Sequence, residues 1–145
     1  MQRSTTPSYL KICLLMVSLF LISCGQKDSE ATAQSESQPV PIVFKDVDVA
    51  EFDKLRQNKG VIVIDVRTPE ETVDGMVPNA VEIDINGEIF EAAISELDRS
   101  KQYLVYCRSG IRSVRASQHM IDNGFTDVTN LLGGYNAWSE AHQKE

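Results

Sequence analysis

The chain has 145 residues, 42% of them hydrophobic and 24% charged, with a net charge of −7. That length sets one domain as the expectation, and the composition is that of an ordinary globular protein. The acidic balance argues against nucleic acid as a partner. Two histidines and three cysteines leave no convincing metal cluster, and no cofactor is called for.

Arg3 and Lys11 are the only charges before position 24, and an apolar run of eleven residues, Ile12 to Ile22, follows them. A bilayer span needs about 20 residues, so residues 1–23 read as a secretory signal peptide. The run ends in Leu21-Ile22-Ser23-Cys24, which resembles the lipobox of bacterial lipoproteins. The resemblance implies cleavage before Cys24, diacylation of its sulfur, and anchoring in the bacterial cell envelope, on the periplasmic face or at the outer membrane. Two acyl chains on one residue give stable anchoring. The mature chain would carry 12 positive against 21 negative charges, or −9, because Arg3 and Lys11 leave with the signal. Cys13 leaves too and Cys24 is taken by lipid, so Cys107 is the one free thiol expected; an unpaired cysteine in an exported protein marks a reactive group. Residues 24–41 read as the lipidated cysteine and a tether. The 17 residues from Gly25 to Pro41 are rich in Ser, Gln, Ala and Glu and hold too little apolar surface to fold. Their r.m.s. reach is roughly 23 Å.

The folded domain is expected over 42–145. Ile42 to Lys45 predicts a short strand. Asp48 is placed to cap a helix running to about Gln57, with Val49, Phe52 and Leu55 as its apolar stripe, ended at Gly60. Val61 to Ile64 is an unbroken β-branched run, the pattern of a strand covered on both faces. Thr68, Pro69 and Glu71 form a capping box with proline in the first turn. Gly75 to Asn79 predicts a turn and Ala80 to Ile83 a short strand. Gly87 to Leu97 predicts a helix with Ile89, Ala93 and Leu97 on one face. Tyr103 to Tyr106 predicts a buried strand and Ser113 to Asn123 a helix, closed by Gly124 with Phe125 as its apolar partner. Val128 to Leu131 predicts a last strand; Gly133-Gly134 turns into a final helix from Tyr135 to His142. This alternation predicts an α/β fold: a mainly parallel central sheet with helices on both faces. Ligands in such folds bind beyond the carboxyl ends of the strands.

Cys107 sits at such an end, in Cys107-Arg108-Ser109-Gly110-Ile111-Arg112-Ser113. A tight glycine-containing loop entering a helix converges backbone N–H groups and adds the partial positive charge of the helix start. Both favour the thiolate, the nucleophilic form, and Arg108 and Arg112 push the same way. From Arg99 to Ile121 the chain carries five cationic residues and no Asp or Glu. That stretch predicts a positive zone that attracts a small anion. The same charges argue against burial of Cys107 in apolar surroundings.

Four segments together resemble the rhodanese-homology family, in particular its single-domain exported sulfurtransferases. They are Val63-Ile64-Asp65-Val66-Arg67 with Glu70 and Glu71; Gly75-Met76-Val77-Pro78-Asn79-Ala80; the Cys107 to Ser113 loop; and Asn130-Leu131-Leu132-Gly133-Gly134-Tyr135-Asn136-Ala137-Trp138. The resemblance spans about Ile42 to His142. It implies that Cys107 takes the outer sulfur of a donor such as thiosulfate as a persulfide and passes it to cyanide or a thiol. The amides of Arg108, Ser109, Gly110, Ile111 and Arg112 would cradle the persulfide, and the Arg108 and Arg112 side chains would stabilise the anionic donor and departing sulfite. Asp65 and Arg67 read as structural support: Asp65 fixing amides at its strand end, Arg67 pairing with Glu70 or Glu71. Trp138 and Tyr135 read as core, and His119 as packing or surface. Met76 stands where the family usually has histidine. Two other classes compete. A cysteine phosphatase of the related fold has five residues between its Cys and Arg, whereas Cys107 and Arg112 enclose four. A non-catalytic protein-binding module would keep the fold but commonly loses the cysteine.

Overall fold

The computed structural model describes residues 41–143. The expected signal peptide (1–23), the lipid attachment at Cys24 and nearly all of the tether therefore lie outside the described residues. Five strands, β1 (Val43–Val47), β2 (Ile62–Asp65), β3 (Val81–Glu82), β4 (Gln102–Tyr106) and β5 (Asp127–Leu131), form one sheet in the order β1-β5-β4-β2-β3. Every pairing is parallel. Five helices connect or follow them: α1 (Val49–Leu55), α2 (Pro69–Thr72), α3 (Phe90–Ser95), α4 (Ile111–Asp122) and α5 (Gly134–His142).

Side-chain alternation explains the unbroken apolar strands. Ile64, Tyr103 and Val105 point into one core cluster, with Phe90 and Ile94 of α3 and Ala116 and Met120 of α4. Their neighbours Val63, Leu104 and Tyr106 point into the other, with Phe52 of α1 and Trp138 of α5. Both faces of the sheet are thus covered by helices, and each fully buried large side chain is worth roughly 1.5–3 kcal/mol. The polar tips of the buried tyrosines are satisfied. Tyr103 donates its hydroxyl to the Asp98 carbonyl at 2.9 Å, and Tyr106 Oη accepts the Val77 N–H at 3.1 Å.

Local capping signals operate where they were read. Asp48 Oδ1 accepts the Glu51 N–H at 2.9 Å, and the Thr68–Glu71 capping box starts α2. Gly124 takes φ +88°, and the Phe125 N–H reaches back to the Met120 carbonyl at 3.2 Å. Two helices begin two or more residues from where they were expected. Residues 84–89 are taken up by turns, with the Gly87 N–H on the Asp84 carbonyl and the Phe90 N–H on the Gly87 carbonyl, so α3 starts at Phe90. Its buried stripe is Phe90 and Ile94, while Ile89 is 74% exposed. Helix α4 starts at Ile111, two residues before Ser113, because Gly110 at φ +94° ends the loop and serves as its N-cap.

Candidate active site

The carboxyl end of β4 delivers Cys107 to the N-terminus of α4. The Gly110 N–H donates to Cys107 Sγ at 3.2 Å, and the Ser113 hydroxyl lies 3.5 Å from the same sulfur. The Ser113 hydroxyl is also 3.0 Å from the Gly110 carbonyl, so its single proton serves one acceptor at a time. Cys107 is fully buried, and its side chain belongs to the apolar cluster on the α3–α4 face. This corrects the expectation that loop charge would keep it out of apolar surroundings: the Arg108 side chain is exposed and Arg112 is held by Glu71, while the sulfur is buried. Burial alone would push the thiol up. The Ser113 hydroxyl and the N–H groups of Ser113, Ser109 and Gly110 outweigh it and hold the Cys107 pKa below its ordinary value.

The loop's orientation is set from α5. The Tyr135 N–H donates to the Cys107 carbonyl at 2.7 Å and the Asn136 N–H to the Arg108 carbonyl at 3.0 Å. These two bonds draw the loop carbonyls toward α5 and leave its N–H groups for the sulfur. The approach requires glycine at 134. That residue has φ +58°, and an added Cβ would collide with the Cys107 carbonyl and lie 2.8 Å from Gly110 N. The sequence marks the Gly133-Gly134 pair only as a turn; the close contact explains why a side chain is excluded.

Two arginine–carboxylate pairs flank the loop. Arg67 is 2% exposed and Asp65 fully buried. The Arg67 Nε donates to both Asp65 oxygens at 2.9 Å and its Nη2 to Oδ2 at 2.6 Å. The same guanidinium donates to the carbonyls of Glu71 (2.9 Å) and Gly75 (2.8 Å) and lies 4.0 Å from the Tyr135 ring centroid. Burial works against the Arg67 charge, but Asp65 outweighs it and raises its pKa. Asp65 Oδ1 also accepts the Arg67 N–H at 3.0 Å, the expected role of fixing an amide. The expected pairing of Arg67 with the Glu70 or Glu71 carboxylate is corrected. Asp65, two residues away at the strand end, already fills the guanidinium's fork, and Glu71 offers it only a backbone carbonyl.

The Glu71 carboxylate instead holds Arg112. Its two oxygens accept from Nη1 and Nη2 at 2.7 Å each, with both side chains 23% exposed. The same carboxylate caps α2 by accepting the Thr68 N–H at 3.2 Å. Arg112 is the main reason that the Glu71 pKa falls to about 2, against the opposing effect of burial. Arg112 is in turn kept charged chiefly by Glu71 and, more weakly, by the Cys107 sulfur. Sulfur, guanidinium and carboxylate thus form a chain of alternating charge. No local signal in the sequence joins Glu71 to Arg112, which are 41 residues apart.

The remaining expected site residues separate into backbone and side chain. Ser109, Arg108 and Ile111 have exposed side chains, and that of Ile111 is 72% exposed. Among the described residues the Arg108 guanidinium has no hydrogen-bond or ion-pair partner. It lines a pocket of about 310 Å³ with Arg67, Glu70, Glu71, Asp74, Tyr135 and Asn136. Three carboxylates therefore face two guanidinium groups there. The positive charge read from residues 99–121 is offset at this pocket, because folding brings the acidic α2 segment against the loop. Trp138 is buried as expected, whereas Tyr135 is partly exposed and belongs to the pocket wall. His119 packs its ring 5.5 Å from that of Phe90.

The profile of the rhodanese-like domain family matches residues 48–141. The chain belongs to the rhodanese-like family. A sulfurtransferase of Allochromatium vinosum is 34% identical to it over 86 residues, covering 59% of this chain and 78% of that protein. The thiosulfate sulfurtransferase GlpE of Shewanella oneidensis is 31% identical over 99 residues, covering 68% of this chain and 96% of its own. Among solved structures, a rhodanese-like domain protein from Staphylococcus aureus superposes with a TM-score of 0.58 at 33% identity, covering 65% of this chain and 90% of that one. The all-parallel five-stranded sheet with helices on both faces is the fold of this rhodanese-like chain.

Proposed function

We propose that this rhodanese-like protein is a sulfurtransferase that carries a sulfane sulfur on Cys107. One observation carries the reading: a buried cysteine at a helix N-terminus whose sulfur is met by the N–H groups of Ser109, Gly110 and Ser113 and kept acidic despite its burial. Its relatives named as sulfurtransferases support it. The Cys107 thiolate attacks the sulfane sulfur of thiosulfate or a similar donor. A new S–S bond forms, the donor's bond to that sulfur breaks, and the carrier leaves with the electron pair, as sulfite when the donor is thiosulfate. The resulting persulfide anion is cradled by the same amides, with Arg108 as the loop's own cation that has no partner among the described residues. The added sulfur extends the side chain by about 2 Å, a normal S–S length, which carries the reactive atom beyond the buried position of Sγ. Cyanide or a thiol then attacks the outer sulfur and returns the Cys107 thiolate. No proton is needed in either step.

A phosphatase reading gains no acid from Glu71. The one carboxylate that folding joins to Arg112, Glu71, is held ionised to about pH 2 and cannot protonate a leaving alkoxide. Intact mass of the full chain after thiosulfate tests the proposal. A gain of one sulfur, removed by cyanide and absent in Cys107→Ala, is the expected result.

We also propose that the chain is tethered to the bacterial envelope through lipid on Cys24, on the strength of the Leu21-Ile22-Ser23-Cys24 segment. Labelling with a fatty acid, lost in Cys24→Ala together with membrane association, is the expected result; a soluble, unlabelled wild type would refute it.

A further inference from the structure

The bidentate contact between Glu71 and Arg112 has a consequence for which donor the site accepts. A guanidinium fork is the natural seat for a sulfonate or carboxylate oxygen pair. Here the chain's own carboxylate fills that seat, at 2.7 Å on both arms. Arg67, the second guanidinium beside the loop, is filled in the same way by Asp65. A dianion such as thiosulfate must therefore displace Glu71 or bind without Arg112. Glu70 and Asp74, with exposed side chains, line the same pocket as Glu71 and the loop residue Arg108 and add negative charge there. Like charges so placed reject a ligand more strongly than a neutral wall does.

The same pocket suits another donor chemistry. Its lining combines Arg108, a cation without a partner among the described residues, with the carboxylates of Glu70 and Asp74. An amino acid carrying a persulfide presents the complementary pair, a carboxylate and an ammonium, and its leaving group is a thiolate with one negative charge. We propose that Glu71 is the specificity-determining residue of this site, and that with the α2 pocket it selects the persulfide of a zwitterionic amino thiol over thiosulfate as the sulfur donor. The inference rests on the sulfurtransferase reading above. The step balances without an added oxidant or reductant: the Cys107 thiolate takes the outer sulfur, the S–S bond of the donor breaks, and the amino thiol leaves as its thiolate.

The test compares loading of Cys107 from cysteine persulfide and from thiosulfate, as kcat/KM, in the full chain. Persulfides are intrinsically reactive, so the change in the ratio on mutation carries the test. Glu71→Gln keeps a capping side chain at that position and removes the charge. It is expected to raise kcat/KM for thiosulfate about tenfold while cysteine persulfide stays within about twofold, the size of a lost repulsion at a partly exposed site. Asp74→Asn, at an exposed position outside the loop, provides the second variant should Glu71→Gln fail to fold. It is expected to raise thiosulfate use and lower cysteine persulfide use, an opposite pair of changes that a merely structural effect would not produce. Equal changes for both donors, or a fall with thiosulfate in either variant, would overturn the proposal. Failure of the wild type to load from any donor would instead overturn the sulfurtransferase reading and this inference with it.

Discussion

The two arginine–carboxylate pairs beside the Cys107 loop share their chemistry and differ in setting. Asp65–Arg67 is buried, and its guanidinium also serves two backbone carbonyls and an aromatic face. Glu71–Arg112 is about a quarter exposed, and its guanidinium also feels the Cys107 sulfur. A buried pair that joins β2, α2 and α5 is scaffold, because Asp65 and two backbone carbonyls already take up the guanidinium where it borders the pocket. A pair at the rim can exchange partners with solvent or substrate. Burial and neighbouring contacts, rather than residue type, separate structural arginine from functional arginine in this fold.

Substitutions can break that comparison. Asp65→Ala strands the buried Arg67 charge and is expected to cost about 3–5 kcal/mol in urea denaturation; a loss under 1 kcal/mol would show that the two pairs are equivalent. Gly134→Ala leaves both pairs alone but drives a methyl group into the loop backbone. It is expected to cost about 1–3 kcal/mol and to slow sulfur loading by displacing the amides that face Cys107; unchanged loading would deny α5 its orienting role. Glu71→Gln is expected to lower stability at neutral pH by about 1–2 kcal/mol, between the values for exposed and buried ion pairs.

The acid limb of stability sharpens the contrast further. The folded pKa of Glu71, about 2, lies below its ordinary value of 4.5. Its contribution is therefore present above about pH 4.5 and is lost as pH falls toward 2. Glu71→Gln should flatten the stability profile in that window and nowhere else. A matching pH titration of sulfur loading should show the rate holding below the ordinary thiol range and falling only as pH drops through the depressed Cys107 pKa. A midpoint at or above the ordinary thiol value would contradict the role of the loop amides.

Much of the fold was legible because its signals are local. Asp48, the Thr68–Glu71 box and Gly124 act within four residues of themselves, and the apolar runs of β2 and β4 announce burial on both faces. The Cys107 loop was legible for the same reason: strand end, glycine and helix start are contiguous. Its surroundings were not. Glu71 looks like a helix cap in sequence and performs that role, while its second bond, to Arg112, depends on the crossover that sets α2 beside α4. The acidity of the pocket was hidden likewise, since Glu70 and Asp74 lie far in sequence from the cationic stretch they offset. The burial of Cys107 was hidden too, because of the two loop charges that argued for exposure Arg108 turns to solvent and Arg112 is neutralised by Glu71.

The central claim is that Cys107 holds transferable sulfur. The most direct measurement is the mass of the Cys107 peptide from the full chain after exposure to thiosulfate and, separately, to cysteine persulfide, before and after cyanide. One extra sulfur on that peptide with at least one donor, released by cyanide and missing in Cys107→Ala, is the predicted result. An unmodified Cys107 with both donors would contradict it.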